Sequence, residues 1–325
     1  MTSFSMESDV RAEYQALRST AGVHLLRRDV IRVSGPAAAS YLQGQCSQDV
    51  EALANAGGSG AAPITADALL LSPQGKIDTY LRITRLGDDE FILDTDDGFG
   101  EVAIARLERF RLRVKVEFEL VPWACMAIRG PAALGAVIGR PQLVLPVEWP
   151  GLAGVDLLGP GPDGGLAEWV GDQAVRCGDP AWEAARIEAG IPVNGREVTE
   201  GSIAAEVGLV DRTVSFTKGC FTGQELVARI DSRGSNVARR LSGVVIEDLP
   251  TTVSIPVGAS VWTVDQEHEV GQLSSVAWSP GSQSSVALAT LHRRVTPPDS
   301  VLVRWEDSSG PHTVPAMAHP LPLVV

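Results

Sequence analysis

The sequence predicts an α+β fold in which antiparallel strands pair locally and the C-terminal part forms a separate β module. Two apolar runs, ITADALLL and KIDTYLRITRL, flank the turn SPQG and predict a hairpin in which Ile77, Thr79, Leu81 and Ile83 share one face. DPAWEAARIEAG has a capping aspartate, a proline at the first helical position and a final glycine, so it predicts a helix. From about residue 240 the chain is rich in Val, Ser, Thr and Pro, with strand-like runs that indicate a small barrel.

Further elements follow from hydrophobic periodicity and from turn residues. Helical spacing of Val10, Tyr14 and Leu17 predicts a first helix, which Gly22 ends. Pro36 stands early in GPAAASYLQGQC, where the missing N–H of a first-turn proline costs little, so a short helix is expected. In chain order these elements are a helix at about 8–20, the strand DVIRVSG, the short helix, the hairpin, and the strands EFILDT and LRVKVEFEL around an amphipathic helix at about 97–110.

Length and charge restrict the class of protein. A chain of 325 residues exceeds one ordinary domain core, so two or three modules are expected. The net charge of −13 argues against broad binding to phosphate backbones, and direct nucleic-acid binding is not expected. The segment MTSFSMESDVRAEY is acidic and polar where a secretory signal needs a basic start and an apolar core, and no run reaches membrane-spanning length. The expectation is a cytoplasmic protein without a membrane partner.

The four cysteines do not have the spacing of a metal site. Cys46, Cys125, Cys177 and Cys220 lie far apart, without the CxxC or Cys/His patterns that hold zinc or a cluster. No metal site is predicted. Scattered cysteines in a reducing compartment are most often small buried apolar residues, so each needs local evidence before a function is assigned to it.

The segment TKGCFTGQE at 217–225 has the features of a reactive thiol site. Gly219 and Gly223 let the backbone turn sharply or approach a ligand closely. Because ELVARI has helical character, Cys220 is expected just before a helix start, where exposed N–H groups and the helix dipole favour a thiolate. Lys218 adds a positive charge nearby.

The same segment also allows a purely structural interpretation. KGC could form a tight turn with a buried sulfur, and Glu225 with Arg229 could form an i,i+4 surface pair. Composition favours the functional interpretation, because only three of the 27 basic residues are lysines. A lysine in such a chain indicates a need for a compact ammonium with three donors, which a planar guanidinium would not satisfy. The same argument favours a functional role for Lys76, in SPQGK.

The motif resembles a known family. KGCFTGQELVAR, followed by Arg233 and Gly234, is similar to the signature of the YgfZ-type folate-binding proteins, which are relatives of the glycine-cleavage aminomethyltransferase. The resemblance continues in VSGPAAASYLQGQCSQDV at 33–50, SPQGKI at 72–77 and WEAARIEAGIP at 182–192. It covers most of the chain, and the KGC and GQE residues are specific to the family.

The resemblance implies a three-module, ring-like fold of the aminomethyltransferase type, with antiparallel sheets, a C-terminal β-barrel and a central tetrahydrofolate pocket. The corresponding modules are residues 1–55 together with 122–238 as the folate-binding core, 56–121 as a hairpin-and-helix module, and 239–325 as the barrel.

The resemblance also implies a function. Members of the family support the assembly or repair of iron–sulfur proteins, including radical enzymes that modify tRNA, and the cysteine and lysine of the motif are their functional centre. It therefore implies a catalytic role for Cys220 and Lys218, tetrahydrofolate or a folate derivative as cofactor, and iron–sulfur client or assembly proteins as partners. The remaining motif residues are Gly219, Gly223, Gln224, Glu225 and Arg229.

Three residues are candidates for binding the folate. Trp182 corresponds to a tryptophan of the family, and Glu188 to the glutamate that meets the pterin in aminomethyltransferases. An indole can stack on a flat pterin, and a carboxylate can accept hydrogen bonds from its amino-pyrimidine edge. Since the two residues lie nearly opposite on a helix wheel, one could instead be core and the other surface. Lys76 is the third candidate.

The sequence also departs from the family. In aminomethyltransferases the hairpin ends in a catalytic aspartate pair, whereas GKIDTYL has Thr79 and Tyr80 near those positions and Asp78 displaced by one or two residues. His24 and Leu26 replace an aspartate and a serine of the first strand. Whether the protein is an enzyme is therefore left open. Two alternatives remain, a folate-dependent aminomethyl or one-carbon transferase and a thiol redox protein without folate.

Overall fold

The computed structural model describes residues 3–55, 64–161, 166–232, 236–247 and 254–323. Its α-helices are α1 Ser3–Ser19, α2 Ala38–Gln45, α3 Gly100–Glu108, α4 Asp179–Ala189, α5 Val210–Thr213 and α6 Gln224–Asp231. Its strands are β1 Gly22–Leu26, β2 Arg28–Ser34, β3 Thr65–Leu71, β4 Ile77–Arg85, β5 Glu90–Asp96, β6 Glu117–Val121, β7 Trp123–Arg129, β8 Leu143–Trp149, β9 Leu152–Pro160, β10 Val175–Arg176, β11 Arg239–Ile246, β12 Ser260–Thr263, β13 Glu269–Ser279, β14 Ser284–His292, β15 Asp299–Asp307 and β16 Gly310–His319.

The local signals in the sequence place the helices and the barrel correctly. α4 has Pro180 in its first turn and ends at Gly190, whose φ of 71° is left-handed and is adopted by glycine without strain. The helices expected near 8–20 and 97–110 are α1 and α3. Strands β11 to β16 close into a barrel in the order β11-β14-β13-β12-β15-β16, which confirms the C-terminal β module. The pattern of the sequence did not predict β7 to β10.

The chain divides into two compact units, residues 1–26, 124–192 and 238–325, and residues 27–123 and 193–237. This division differs from the three modules expected from the sequence, which remain a prediction. None of the helices in the described residues has both the length and the apolar character needed to cross a membrane.

The first unit combines the barrel with a five-stranded sheet in the order β10-β1-β7-β9-β8. Helix α4 is central to this unit because it packs against both α1 and β13. Tyr14 and Leu17 of α1 and Ala181 and Ala184 of α4 are buried in a shared apolar cluster. The helical spacing of these residues thus places α1 and α4 face to face.

The second unit is built on an antiparallel sheet in the order β3-β4-β5-β2-β6. Successive residues of a strand point to opposite faces. On β3, Ala68 and Leu70 pack with α2 and α3, whereas Leu69 and Leu71 pack with residues of the segment 198–227. Apolar layers therefore cover both faces of this sheet.

The hairpin between β3 and β4 is confirmed, but one expectation about its faces is wrong. Leu70 pairs with Thr79 and Leu71 with Ile77, so Asp78 is the extra residue of a bulge. Ile77 consequently packs with Leu71, while Leu81 joins the cluster on the other face. The four alternating residues do not share one face, because the bulge shifts the alternation by one residue.

Candidate functional site

Lys218 is bound to the C-terminal end of α2 and to the residues that follow it. Its Nζ atom donates to the carbonyl oxygens of Gln43, Cys46 and Gln48, at 2.6, 2.7 and 2.7 Å. An ammonium has three N–H groups, so these contacts use all of its donors. Burial lowers the pKa of Lys218, against the opposing influence of Cys46 and two nearby carboxylates. In this arrangement Lys218 holds the backbone of residues 43–48 in position, and its ammonium has no N–H group left to bind a thiolate or a folate carboxylate.

Other hydrogen bonds join the same two segments, which we name the 43–48 loop and the 213–222 loop. The N–H of Thr222 donates to the carbonyl of Gly44 at 3.1 Å. The Ser47 hydroxyl donates to the carbonyl of Thr213 at 2.6 Å, and the N–H of Ser215 donates to the carbonyl of Ser47 at 3.0 Å. The backbone that carries Cys220 is therefore fixed along its length by the 43–48 loop.

Two glycines bring the hairpin turn against the start of α6. A Cβ atom at Gly223 would lie 2.6 Å from Ser72 O and 3.2 Å from Gly75 Cα, and the φ of Gly223 is 83°. A Cβ atom at Gly75 would lie 2.6 Å from Leu226 Cβ. Only glycine fits such contacts. Gly219 is different, because nothing lies within 4 Å of the position of its missing Cβ.

Gly223→Ala is expected to lower the free energy of unfolding by about 2–4 kcal/mol, because the left-handed φ and the contact with Ser72 both resist a side chain. Gly219→Ala, four residues away, should change it by less than about 0.5 kcal/mol. Urea denaturation of the two variants measures the difference. Equal effects would contradict this account of Gly223.

Cys220 is the one exposed cysteine of the four. It precedes α6, whose first residue Gln224 accepts a hydrogen bond from the N–H of Phe221 at 3.2 Å through Oε1.

Glu225 and Arg229 are exposed on the same helix, and in the described chain no ion pair joins them. Among the described residues no group of three or more His, Cys, Asp or Glu side chains could hold a metal ion. Arg233 and Gly234 of the motif lie outside the described residues.

Glu188 lies in the first unit, and its carboxylate is not open to a ligand. Its side chain is fully buried. Oε2 accepts hydrogen bonds from the Tyr14 hydroxyl at 2.6 Å and from Arg18, and Oε1 accepts one from the Ser279 hydroxyl. Burial, with the neighbouring Glu188 carboxylate, raises the pKa of Tyr14 to about 12, so this hydroxyl remains a donor. A pterin could use the Glu188 carboxylate only by displacing one of these partners.

Trp182 is likewise part of the core of the first unit. Its ring stacks on His24 with centroids 4.7 Å apart, and Trp149 lies 5.2 Å away at a tilt. The guanidinium of Arg129 lies 5.2 Å from the ring centroid of Trp182. Glu188 is buried too, so the alternative in which one residue of the pair is core and the other surface is wrong, because α4 is enclosed by both α1 and β13.

Asp78 forms an ion pair that the sequence did not reveal. Its Oδ2 accepts from Nε of Arg106 at 3.0 Å. The same guanidinium donates to the carbonyl of Leu71 at 2.6 Å and to Oε1 of Gln45 at 3.0 Å. No local motif marks Arg106 or Gln45, since the partners are 28 to 61 residues apart in sequence. The exposed Lys76 precedes this pair in the hairpin.

The predicted site residues thus fall into two groups. Lys76, Lys218, Gly219, Cys220, Gly223, Gln224, Glu225 and Arg229 lie in the second unit, and Trp182 and Glu188 in the first.

Comparison with known proteins gives distant relatives of two kinds. No family model matches the chain. An uncharacterised protein of Haemophilus influenzae is 29% identical over 216 residues, which are 66% of this chain and 70% of that protein. The tRNA-modifying protein YgfZ of Klebsiella pneumoniae is 28% identical over 225 residues, 63% of this chain and 65% of that protein. An aminomethyltransferase of Corynebacterium jeikeium is 25% identical over 335 aligned positions, covering 88% of this chain and 82% of that protein.

The fold is also found in a solved structure. The glycine cleavage system aminomethyltransferase T of Bartonella henselae matches 97% of this chain and 89% of its own, with a TM-score of 0.80 and 21% identity. A likeness at this identity shows the fold, an α+β arrangement of antiparallel sheets with a C-terminal six-stranded barrel. The chain therefore has the aminomethyltransferase T fold, and aminomethyltransferases and YgfZ proteins are both among its distant sequence relatives.

Proposed function

We propose that this protein binds tetrahydrofolate or a related folate and supports the assembly or repair of iron–sulfur proteins, including tRNA-modifying radical enzymes, through Cys220. The observation that carries the proposal is the exposure of Cys220 on a loop fixed on both sides. The likeness of its KGC and GQE residues to YgfZ-type proteins supports it. The partners would be folate and iron–sulfur client or assembly proteins, and the compartment that this role implies is the cytoplasm.

The motif residues divide into distinct roles under this proposal. Cys220 is the reactive group, since a thiolate is both a nucleophile and a metal ligand. Lys218 is a positioning residue, because its ammonium holds the 43–48 loop. Gly223 permits the close packing of the hairpin turn. Gly219 leaves open space beside Cys220, which gives a partner access to the sulfur.

The folate part of the proposal rests on the likeness to the superfamily. In this conformation neither Glu188 nor Trp182 has a free face for a pterin, because hydrogen bonds and ring stacking occupy them. No role is therefore derived for a folate at these two residues.

Cys220→Ala is expected to leave the fold intact and to lower the activity of iron–sulfur-dependent tRNA-modifying enzymes several-fold in cells that lack the native protein. An exposed side chain contributes less than about 0.5 kcal/mol to stability, so loss of the thiol is the main effect. The measurement is the level of the modified nucleoside in total tRNA. Thr217→Ala, an exposed position of the same loop, is the matched control. An unchanged level of the modified nucleoside in cells with Cys220→Ala would contradict the assignment of Cys220 as the functional thiol.

The alternative is a folate-dependent aminomethyl or one-carbon transferase. It is favoured by the extent of the likeness, which covers 88% of this chain for the aminomethyltransferase and 63% for YgfZ. Such an enzyme needs an acid–base residue beside the folate nitrogen. The hairpin carboxylate Asp78 is already paired with Arg106. The test is whether the purified protein transfers a one-carbon unit from an aminomethyl donor to tetrahydrofolate, and absence of turnover would remove the alternative.

A further inference from the structure

One carboxylate of the second unit is held through one oxygen and open at the other. Asp67 lies on β3, and its Oδ2 atom accepts a hydrogen bond from the Tyr80 hydroxyl of β4 at 3.1 Å. Nε of Arg212, on α5, lies 3.1 Å from the same oxygen in an ion pair. No described residue donates to Oδ1 of Asp67, and the side chain is 25% exposed. Oδ1 is therefore accessible to a ligand.

The strand register places Asp67 on the face of the sheet that meets the motif segment. Leu69 pairs with Tyr80, and Asp67 stands two residues before Leu69, so all three side chains point to one face. Leu69 and Tyr80 pack in the apolar cluster that Phe221, the neighbour of Cys220 in sequence, also contacts. The carboxylate and the 213–222 loop thus lie on the same side of this sheet.

Tyr80 is a fixed hydrogen-bond donor to Asp67. Burial, followed by the charge of Asp67, raises the pKa of Tyr80 far above its usual value, so the phenol keeps its proton. The N–H of Tyr80 donates to Oδ1 of Asn194 at 2.9 Å, and its carbonyl accepts from Nδ2 of the same residue at 2.7 Å. The phenol therefore orients Asp67 from a backbone that is itself held in place. A strongly shifted pKa beside a partly exposed carboxylate is typical of functional sites.

The single open oxygen determines which donor fits. The amino-pyrimidine edge of a pterin presents two adjacent N–H donors, which match both oxygens of a carboxylate at once. Asp67 offers Oδ1 alone, because Tyr80 and Arg212 occupy Oδ2. It therefore fits one isolated N–H group, such as N5 or N8 of a tetrahydropterin ring. These nitrogens carry hydrogen only in the reduced ring, and in folic acid each presents a lone pair that a carboxylate oxygen repels.

We propose that Asp67 binds a ring N–H group of the reduced folate and thereby selects tetrahydrofolate over folic acid. Tyr80 and Arg212 are positioning residues, which hold the carboxylate through Oδ2. The inference rests on the proposed function, because it assigns a residue to the ligand that this function requires. It also gives the alternative transferase a carboxylate other than Asp78, which is paired with Arg106.

The test is calorimetric titration of the full-length reduced protein with tetrahydrofolate and with folic acid under anaerobic conditions. Native protein should bind tetrahydrofolate at least about tenfold more tightly, since folic acid cannot donate to Oδ1. In Asp67→Asn the Tyr80 hydroxyl and Arg212 retain the amide oxygen, so the amide NH₂ faces the ligand in place of Oδ1. This variant should raise Kd for tetrahydrofolate about tenfold and leave Kd for folic acid unchanged or lower.

Two further variants complete the design. Glu90→Gln is the matched control, because it removes the Glu90 carboxylate from an ion pair with Arg32 on the same sheet, and both Kd values should stay within about twofold. Tyr80→Phe keeps the ring and leaves Oδ1 of Asp67 as an acceptor, so it should raise Kd for tetrahydrofolate about threefold and retain the preference for the reduced form.

The outcomes separate this inference from the proposed function. If native protein binds tetrahydrofolate and Asp67→Asn keeps the same preference over folic acid, Asp67 does not meet the ring and the proposed function stands. A parallel rise of both Kd values in Asp67→Asn would show a structural role only and would also contradict the inference. Equal binding of both ligands by the native protein would contradict it as well. If native protein binds neither ligand, the folate part of the proposed function and the role of Asp67 are both wrong.

Discussion

In the folded protein at pH 8, thiol reagents are expected to modify Cys220 and to leave the other three cysteines unmodified. The thiolate is the reactive form of cysteine. Burial raises the pKa of Cys46 and of Cys177 to about 12, so about one thiol in 10⁴ is ionised at pH 8. Cys125 is 2% exposed, and reagents cannot reach it without unfolding. Cys220 is exposed, so its reaction should be faster by at least about 10³-fold.

Iodoacetamide labelling followed by peptide mass spectrometry measures this selectivity. Native protein should gain one label, at Cys220, and protein in urea should gain four. Cys220→Ala should gain none on the same time scale. A second cysteine that reacts in the native protein at a rate close to that of Cys220 would contradict the burial described here, and with it the basis for selecting Cys220 as the functional thiol.

Lys218→Met is expected to lower the free energy of unfolding by about 2–4 kcal/mol. The substitution leaves three carbonyl oxygens, those of Gln43, Cys46 and Gln48, without their donor. Lys218→Arg should recover little of the loss, because a planar guanidinium does not match three oxygens that surround one nitrogen at 2.6 to 2.7 Å. Lys76→Met is the matched control, since that side chain is exposed, and its effect should be below about 0.5 kcal/mol.

Chemical rescue separates this positioning role from a direct effect of Lys218 on the thiol. In Lys218→Ala, an ammonium ion can occupy the space between the three carbonyl oxygens, so ammonium chloride should raise stability relative to sodium chloride at equal ionic strength. The rate of Cys220 alkylation at pH 8 should agree within about twofold in folded Lys218→Met and in the native protein. A rate lower by about tenfold or more, without a change in stability, would show that Lys218 acts on the thiol itself.

Much of the fold was predictable because its signals are local. Pro180 and Gly190 lie within α4 or next to it, and the turn SPQG lies between the strands that it joins. The expectation that Asp179 caps α4 was wrong, because Asp179 is the first helical residue, Gly178 is the N-cap, and no side chain caps the helix. The motif around Cys220 was likewise contiguous, so the candidate thiol could be selected before any contact was known. Local signals did not reveal the bulge at Asp78, since a bulge depends on the pairing of one strand with another.

By itself the sequence determined the α+β class, the hairpin, the C-terminal barrel and the candidate Cys220. The tertiary structure alone decided what the charged and aromatic candidates contact. Lys218 meets Gln43 across 175 residues, and Glu188 meets Tyr14 across 174. Hydrogen-bond partners at such separations are determined by packing, because most buried donors and acceptors are satisfied by whichever group the fold brings near. A residue type indicates which chemistry is available, and burial decides whether it remains available to a ligand.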